Sequence, residues 1–368
     1  MKKVSMTLVA LAALVTGPST HASPFKDTNQ APAASHTRAS KGVLIAVATA
    51  GSRIVAAGRY GIVVYSDDVG KSWTQASVPV SSTLVALSFP SATEGWAVGH
   101  DGMVLATQDG GKSWAERLNG NTAAVLIDDY YRREVAAHPD DAILAEARRQ
   151  AERLVKEGMD KPFLDVWFSD QQNGYLVGAF GLILRTGDGG KTWLPMMHLV
   201  DNPQGFHFNG VRGSGGDVYI AGEQGLFLKL DQAQNRFKVV PVGYPGSFFG
   251  LLVSGANIVV FGLQGNALRS RDASATWEPL VTSVRATINN GAFLGNGQMA
   301  LVTSGGEILL SDDLGAHFSA VSCGMPCYSV TGVDQNILAV AGANGVRTIV
   351  MPGNHAAQQL PAPDQSAK

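Results

Sequence analysis

Cysteine is nearly missing: the 368-residue chain holds two, Cys323 and Cys327, in the run Cys-Gly-Met-Pro-Cys. Two sulfurs with no histidine nearby make a poor zinc site, and the spacing misses the Cys-x-x-Cys of a redox pair. In an oxidising compartment the default reading is a local disulfide, worth about 2 kcal/mol or less for so short a loop. Charge is also scarce, 16% of residues, and nearly balanced. Without Lys2 and Lys3, 26 basic residues face 30 acidic ones, which excludes nucleic acid or anionic lipid as the main partner. Beyond the first 22 residues no apolar run is long enough to span a bilayer. A phosphate loop, a His-Glu-x-x-His element, a Gly-x-Ser-x-Gly elbow and a dinucleotide fingerprint are all absent. Histidines such as His100, His198 and His207 stand alone, so neither a metal nor a cofactor is expected.

What the chain does have is repetition. Ser66-Asp-Asp-Val-Gly-Lys-Ser-Trp73 returns as Thr107-Gln-Asp-Gly-Gly-Lys-Ser-Trp114 and Thr186-Gly-Asp-Gly-Gly-Lys-Thr-Trp193. A Gly-x-x-Gly turn precedes each copy, and further copies of that turn end at Gly225, Gly265 and Gly345, with Gly306 in a copy that has lost its first glycine. Successive copies lie 41, 79, 44, 40, 41 and 39 residues apart. The period is about 41 residues, interrupted by one insertion of about 38. Short apolar runs at such a period mark four-stranded propeller blades. The segments Ile54-Val-Ala-Ala-Gly, Ile62-Val-Val-Tyr and Gly95-Trp-Ala-Val-Gly read as buried strands, with no helical spacing. Seven copies predict an all-β fold, a seven-bladed β-propeller over residues 42–351 with a helical hairpin inserted between blades two and three.

The repeated box has a physical reading. Its aspartates, Asp68, Asp109, Asp188, Asp272 and Asp313, accept N–H groups of their own turn, the glycine permits positive φ, and Trp73, Trp114, Trp193 or Trp277 packs between blades. The fourth copy has decayed but keeps Phe237 at the Trp place, and the sixth keeps Phe318. These acids are hairpin locks far from the propeller axis, not catalysts or calcium ligands.

The order Gly-Trp-Ala-Val-Gly-x-x-Gly followed by the Asp box, as at residues 95–114, resembles the photosystem II stability and assembly factor-like family of bacterial neuraminidase (Asp-box) repeat propellers. The resemblance covers about residues 42–351. It implies a lumenal or periplasmic scaffold that helps a membrane complex assemble, and for relatives outside phototrophs an accessory of a transporter, including exporters of the resistance-nodulation-division (RND) type. The same repeat also serves sialidases and sortilin-type receptors, so the motif specifies fold better than function. Nothing else in the chain points to photosynthesis.

Residues 1–22 combine Lys2 and Lys3, the apolar run Met6 to Val15 and a small-residue exit at Ala22, the pattern of a cleaved secretory signal peptide. The expected product is a soluble, periplasmic monomer. Residues 23–41 read as a linker whose end lends an outer strand to blade seven, because the chain after Met351 passes into a polar tail, 352–368, expected to be disordered. The insertion, 121–160, reads as two helices. One runs over about 122–137, and the second starts at Pro139-Asp-Asp and stops at Gly158, with a stripe of Ile143, Leu144, Ala147, Ala151, Leu154 and Val155.

Loops between blades emerge on the same face as the Gly-x-x-Gly turns. The expected interaction surface is therefore a channel mouth ringed by Arg59, Tyr60, His100, Asp101, Phe180, Glu223 and Gln224. The hairpin, through Tyr130, Tyr131, Arg149 and Arg153, is expected to offer the distinctive contact to an envelope membrane protein complex, and its removal to leave the propeller folded. Two other functions compete. A sialidase-like glycosidase needs three converging arginines, for which only Arg59, Arg212 and Arg285 qualify, and a Tyr–Glu pair such as Tyr60 and Glu223. The Arg-Ile-Pro segment that precedes the first box in sialidases is absent. The third reading, a small-ligand sensor, has no pocket signature in the sequence.

Overall fold

The computed structural model describes residues 26–158, 160–295 and 297–351; the expected signal peptide and the tail lie outside them. Seven antiparallel sheets follow one another in chain order, six with four strands and one with three, each strand beside its sequence neighbour. They form the blades of a propeller. Blade one, Leu44–Ala50, Arg53–Gly58, Val63–Ser66 and Thr74–Gln75, shows the pattern, with a short polar strand outermost. Its second strand is buried at all but its first residue, as fits a strand covered on both faces. The buried side chains fall into seven clusters, each joining two adjacent blades. One of them seats Ala339, Ala341 and Val346 of blade seven against Leu44, Ile54 and Val64 of blade one. The core is thus a ring of wedges.

Every intact Asp box closes the same network. In blade two the Thr107 hydroxyl donates to Asp109 and accepts the Gly111 N–H, while Asp109 accepts the N–H groups of Lys112 and Ser113 and the Ser113 hydroxyl. The hydroxyl residue two positions before the aspartate is as much a part of the lock as the aspartate itself. Boxes one, three and five repeat it, and in box six the His317 ring takes the place of the last hydroxyl. The Ser72, Thr192 and Thr276 hydroxyls hold Asp68, Asp188 and Asp272 down at about 2. Burial opposes this at Asp313, but the N–H and ring of His317 outweigh it, again to about 2. The box tryptophans fill the wedges: Trp193 meets Trp96 of the preceding blade edge to face at 5.7 Å.

The insertion folds as two helices, α1 over Gly120–Ala137 and α2 over Ala142–Glu157. The second begins three residues later than the proline suggested. Asp141 caps it by accepting the N–H groups of Ile143 and Leu144, which leaves Pro139 in the connecting turn. A capping box between Asn119 and Thr122 starts α1, a signal the sequence reading passed over.

The structure corrects the expected closing strand. Residues 26–38 run past blade one, with the Ala33 N–H on the Val78 carbonyl, the Ser81 N–H on the Thr28 carbonyl, and Gln75 bonded to both His36 and Ala34. Ala39–Lys41 then form a short 3-10 turn leading into blade one. This segment is spent before it could reach the outside of blade seven, whose described strands number three. Cys323 and Cys327 are joined by a disulfide beside the first strand of blade seven.

Candidate partner-binding face

The first strand of every blade carries one irregularity near its start. Pairing with the second strand skips a residue at Ile45, Val85, Leu164, Asn209, Phe249, Asn289 and Tyr328. A bulge of this kind turns an extra side chain out of the ladder, and all seven skipped residues line a single axial cavity of about 570 Å³. Blades one to three contribute an aliphatic arc, and blades four to seven a polar and aromatic arc. Asn209 and Asn289 donate their amide N–H to the Phe248 and Cys327 carbonyls, each in the next blade, fixing each side chain. None of the seven belongs to the turn residues expected to ring the mouth. The signal was available in the polar or aromatic residue one or two places before a mid-strand glycine, as in Asn209-Gly210 and Phe249-Gly250.

Deeper in the wall, Asp165 of blade three accepts the Val211 N–H and an Arg212 N–H (2.5 Å) from blade four. Burial pushes the Asp165 carboxyl up, against the Arg212 guanidinium and the Val211 and Val166 N–H groups that favour its charged form. Arg59 lines the cavity. Arg285 does not line it. The three arginines that a sialidase site would bring together are thus not brought together. Nor are Tyr60 and Glu223, because Glu223 is bonded to the His207 N–H within blade four. No group of three or more potential metal ligands occurs among the described residues.

Of the turn residues expected around the mouth, only Arg59 reaches the cavity itself. The others stand outside it, on a shared backbone device. The second variable residue of five turns adopts the left-handed conformation: Tyr60, Asp101, Phe180, Gln224 and Gln264, with φ from 52° to 59°. A side chain other than glycine costs energy there. The following glycine lies against an interblade carbonyl in several copies, as Gly61 does against Val80, where any Cβ would collide. The crowded place is kept for glycine and the open place before it carries a side chain. Tyr60 and Phe180 use it to stand 69% and 62% exposed. His100 and Gln224 are also exposed. Asp101 is not free, because its carboxylate accepts the Thr28 and Ser82 hydroxyls and so ties down the N-terminal segment.

The hairpin departs from expectation more sharply. Tyr131 is wholly buried, in one cluster with Ile127, Leu144, Ala147, Trp96, Phe168 and Trp193, and its hydroxyl lies 3.0 Å from the His198 ring. Tyr130 packs against the same cluster. Tyr131 is therefore no free partner contact, while Tyr130 is half-buried. The hairpin covers the wedge between blades two and three, with α1 also touching the outer strand Leu194–Pro195. Arg149 and Arg153 are exposed on α2 and pair with Glu146. Ile143 and Val155, assigned to the packed stripe by spacing, are 54% and 46% exposed. No helix among the described residues is long and apolar enough to cross a membrane.

Comparison with known proteins places these features in context. The family model described as photosynthesis system II assembly factor YCF48 matches residues 66–134 and 144–323. The chain is 26% identical over 147 residues to a photosystem II assembly lipoprotein Ycf48 of a Synechococcus strain, covering 39% of this chain and 44% of that one. It is 28% identical over 148 residues to a photosystem II assembly protein Ycf48 of Thermosynechococcus vestitus, covering 39% and 42%. The matched region therefore spans less than half the length of these curated relatives. Among solved structures, a YCF48 bound to a D1 peptide superposes with a TM-score of 0.62 at 15% identity, covering 88% of this chain and all of that one. YCF48 from Cyanidioschyzon merolae gives 0.61 at 16% identity over 88% of this chain and 98% of its own. At such identities these superpositions speak for the fold.

Proposed function

The chain belongs to the photosynthesis system II assembly factor YCF48 family, and on that premise we propose that it is a non-enzymatic, secreted scaffold that holds a segment of an envelope membrane protein during assembly. The observation that carries this reading is the presence of exposed aromatics and an arginine among the Gly-x-x-Gly turns: Tyr60 and Phe180 in left-handed positions, and Arg59 at the cavity. Exposed aromatics and arginine are what partner surfaces concentrate. A relative's solved structure holds a peptide of D1, which makes an extended segment of a membrane protein the natural cargo to test. Outside photosynthetic cells the partner we propose is a transporter complex, with RND-type exporters as the first case. A periplasmic location goes with that proposal. The contact runs through the channel-mouth turns and the exposed side of α2 with Arg149 and Arg153. The buried tyrosines hold the hairpin in place.

The test is photocrosslinking in envelope membranes, with a photoreactive amino acid at Tyr60, at Phe180 or at Lys112 on the opposite, Asp-box face. Capture of one membrane protein from the first two positions and not from the third supports the reading, and mass spectrometry names the partner. Equal capture from both faces, or none from Tyr60 and Phe180, rejects it. In that case the cavity of about 570 Å³ would favour a small-ligand sensor, to be examined with a metabolite and glycan panel.

A further inference from the structure

The axial cavity holds a side-chain arrangement that the partner contact does not use. Of the described residues lining it, three carry charge: Arg59 from the first turn, and Asp165 and Arg212 in the wall. Asp165 is buried and takes its hydrogen bonds from the wall, the Val166 N–H at one oxygen and the Val211 and Arg212 N–H groups at the other. Arg212 is anchored through its Nη1, which donates to Asp165 and to the Val211 carbonyl. A guanidinium carries three more N–H groups, on Nε and Nη2, in the planar fork that matches a carboxylate bidentately. The Arg212 side chain keeps 30% exposure and lines the cavity. The charge there has a sign. Two cations stand against one anion, and burial pushes the Asp165 carboxyl toward its neutral form, so the lining attracts anions. Across the axis from Arg212, blades one and two contribute hydrocarbon: Ile45, Val47, Val85 and Leu87.

We propose that the cavity binds a small amphipathic monocarboxylate, its carboxylate on the Nε–Nη2 edge of Arg212 and its hydrocarbon against blades one and two. The volume, about 570 Å³, falls within the range of small-molecule sites, about 300–1,000 Å³. A single negative charge matches the lining, whereas a phosphate dianion overcompensates it. A neutral or cationic molecule of the same shape leaves the fork without an acceptor. Asp165 is a positioning residue: it holds the guanidinium by Nη1, so the other edge meets the ligand already ordered and little side-chain freedom is lost on binding. The site lies inside the ring of inner strands. Tyr60 and Phe180, which carry the partner contact, stand outside it.

Calorimetric titration of the purified protein with octanoate, octanol, octylamine and inorganic phosphate tests the proposal. Octanoate is expected to bind at one site per chain, and each of the other three about tenfold more weakly or worse, as the loss of a charge-assisted hydrogen bond or of the apolar contact dictates. Arg212→Lys keeps the charge but not the fork and should weaken octanoate about tenfold. That change also disturbs the bond to Asp165, so Val85→Trp serves as a second variant. It fills the cavity from the far side, does not involve the charged pair, and should abolish octanoate binding. The idea is overturned if octanol, octylamine or phosphate binds as tightly as octanoate, or if octanoate shows no binding at millimolar concentration. Unchanged octanoate binding in Val85→Trp also overturns it, by assigning the ligand to another place. Partner capture from Tyr60 and Phe180 is a separate measurement, and either proposal can fail alone.

Discussion

The two ends of the propeller are built from turns of similar length but spend their polar groups differently. At the Asp-box end each turn consumes its own donors and acceptors: hydroxyl, aspartate and N–H groups bond to one another and leave little to offer. At the opposite end the Gly-x-x-Gly turns make almost no side-chain bonds of their own. Backbone strain, accepted at five positions, pushes the intervening side chain outward. Repetition of sequence at the first end serves folding. Variation at the second, from Tyr60 to Phe180 to Gln224, changes what the surface presents while the backbone stays the same.

The largest expected effect lies at the insertion between blades two and three. Tyr131→Ala should destabilise by about 3–5 kcal/mol, seen as a lower denaturant midpoint, because it opens a cavity in the cluster around Trp96 and Trp193. Tyr130→Ala at the margin of that cluster should cost clearly less. Removing residues 121–160 should cost more than Tyr131→Ala, contrary to the reading from sequence that the hairpin is dispensable. Next comes the box: Thr107→Val leaves the buried Gly111 N–H unpaired and should cost about 1–3 kcal/mol.

Acid should act on the same end. The carboxyls of Asp68, Asp188, Asp272 and Asp313 sit at about 2 in the fold against 3.8 ordinarily. Their contribution is complete above 3.8 and is lost as pH falls toward 2. Circular dichroism across pH 5 to 2 should show unfolding in that window. Asn at Asp68 and Asp188 should lower stability at neutral pH and flatten the dependence.

At the mouth, Tyr60→Ala with Phe180→Ala should change stability by no more than about 0.5 kcal/mol while abolishing partner capture. A thermal melt beside the crosslinking assay would separate the two ends cleanly. One substitution is expected to give a gain. Ala273 occupies a left-handed place in the fifth box that other copies fill with glycine at 110 and 189, so Ala273→Gly should stabilise by about 1 kcal/mol.

Much of the fold was legible because the repeat reports it many times over. Box and turn recur at a fixed interval, and no single ambiguous strand decides the outcome. The mouth was legible only as a face. Which side chains enter the cavity depends on a one-residue bulge in each first strand, and a shift of one residue exchanges inward for outward. Periodicity cannot locate such a shift, which is why Asn209, Asn289 and Tyr328 escaped notice while Arg59 was found. The hairpin failed for another reason. Its tyrosines looked available because helical spacing shows which residues share a side, and not what lies against that side.

Blade one meets blade seven through contacts that span nearly the whole chain, such as the Val47 N–H on the Ser329 hydroxyl, 282 residues apart. The first blade to be synthesised must therefore wait for the last before its inner strand is enclosed. Such distant closure is slow and comes late in folding. Since all seven inner strands line the cavity, a chain interrupted anywhere before Tyr328 has none to offer. Formation of the cavity is thereby tied to completion of the seventh blade.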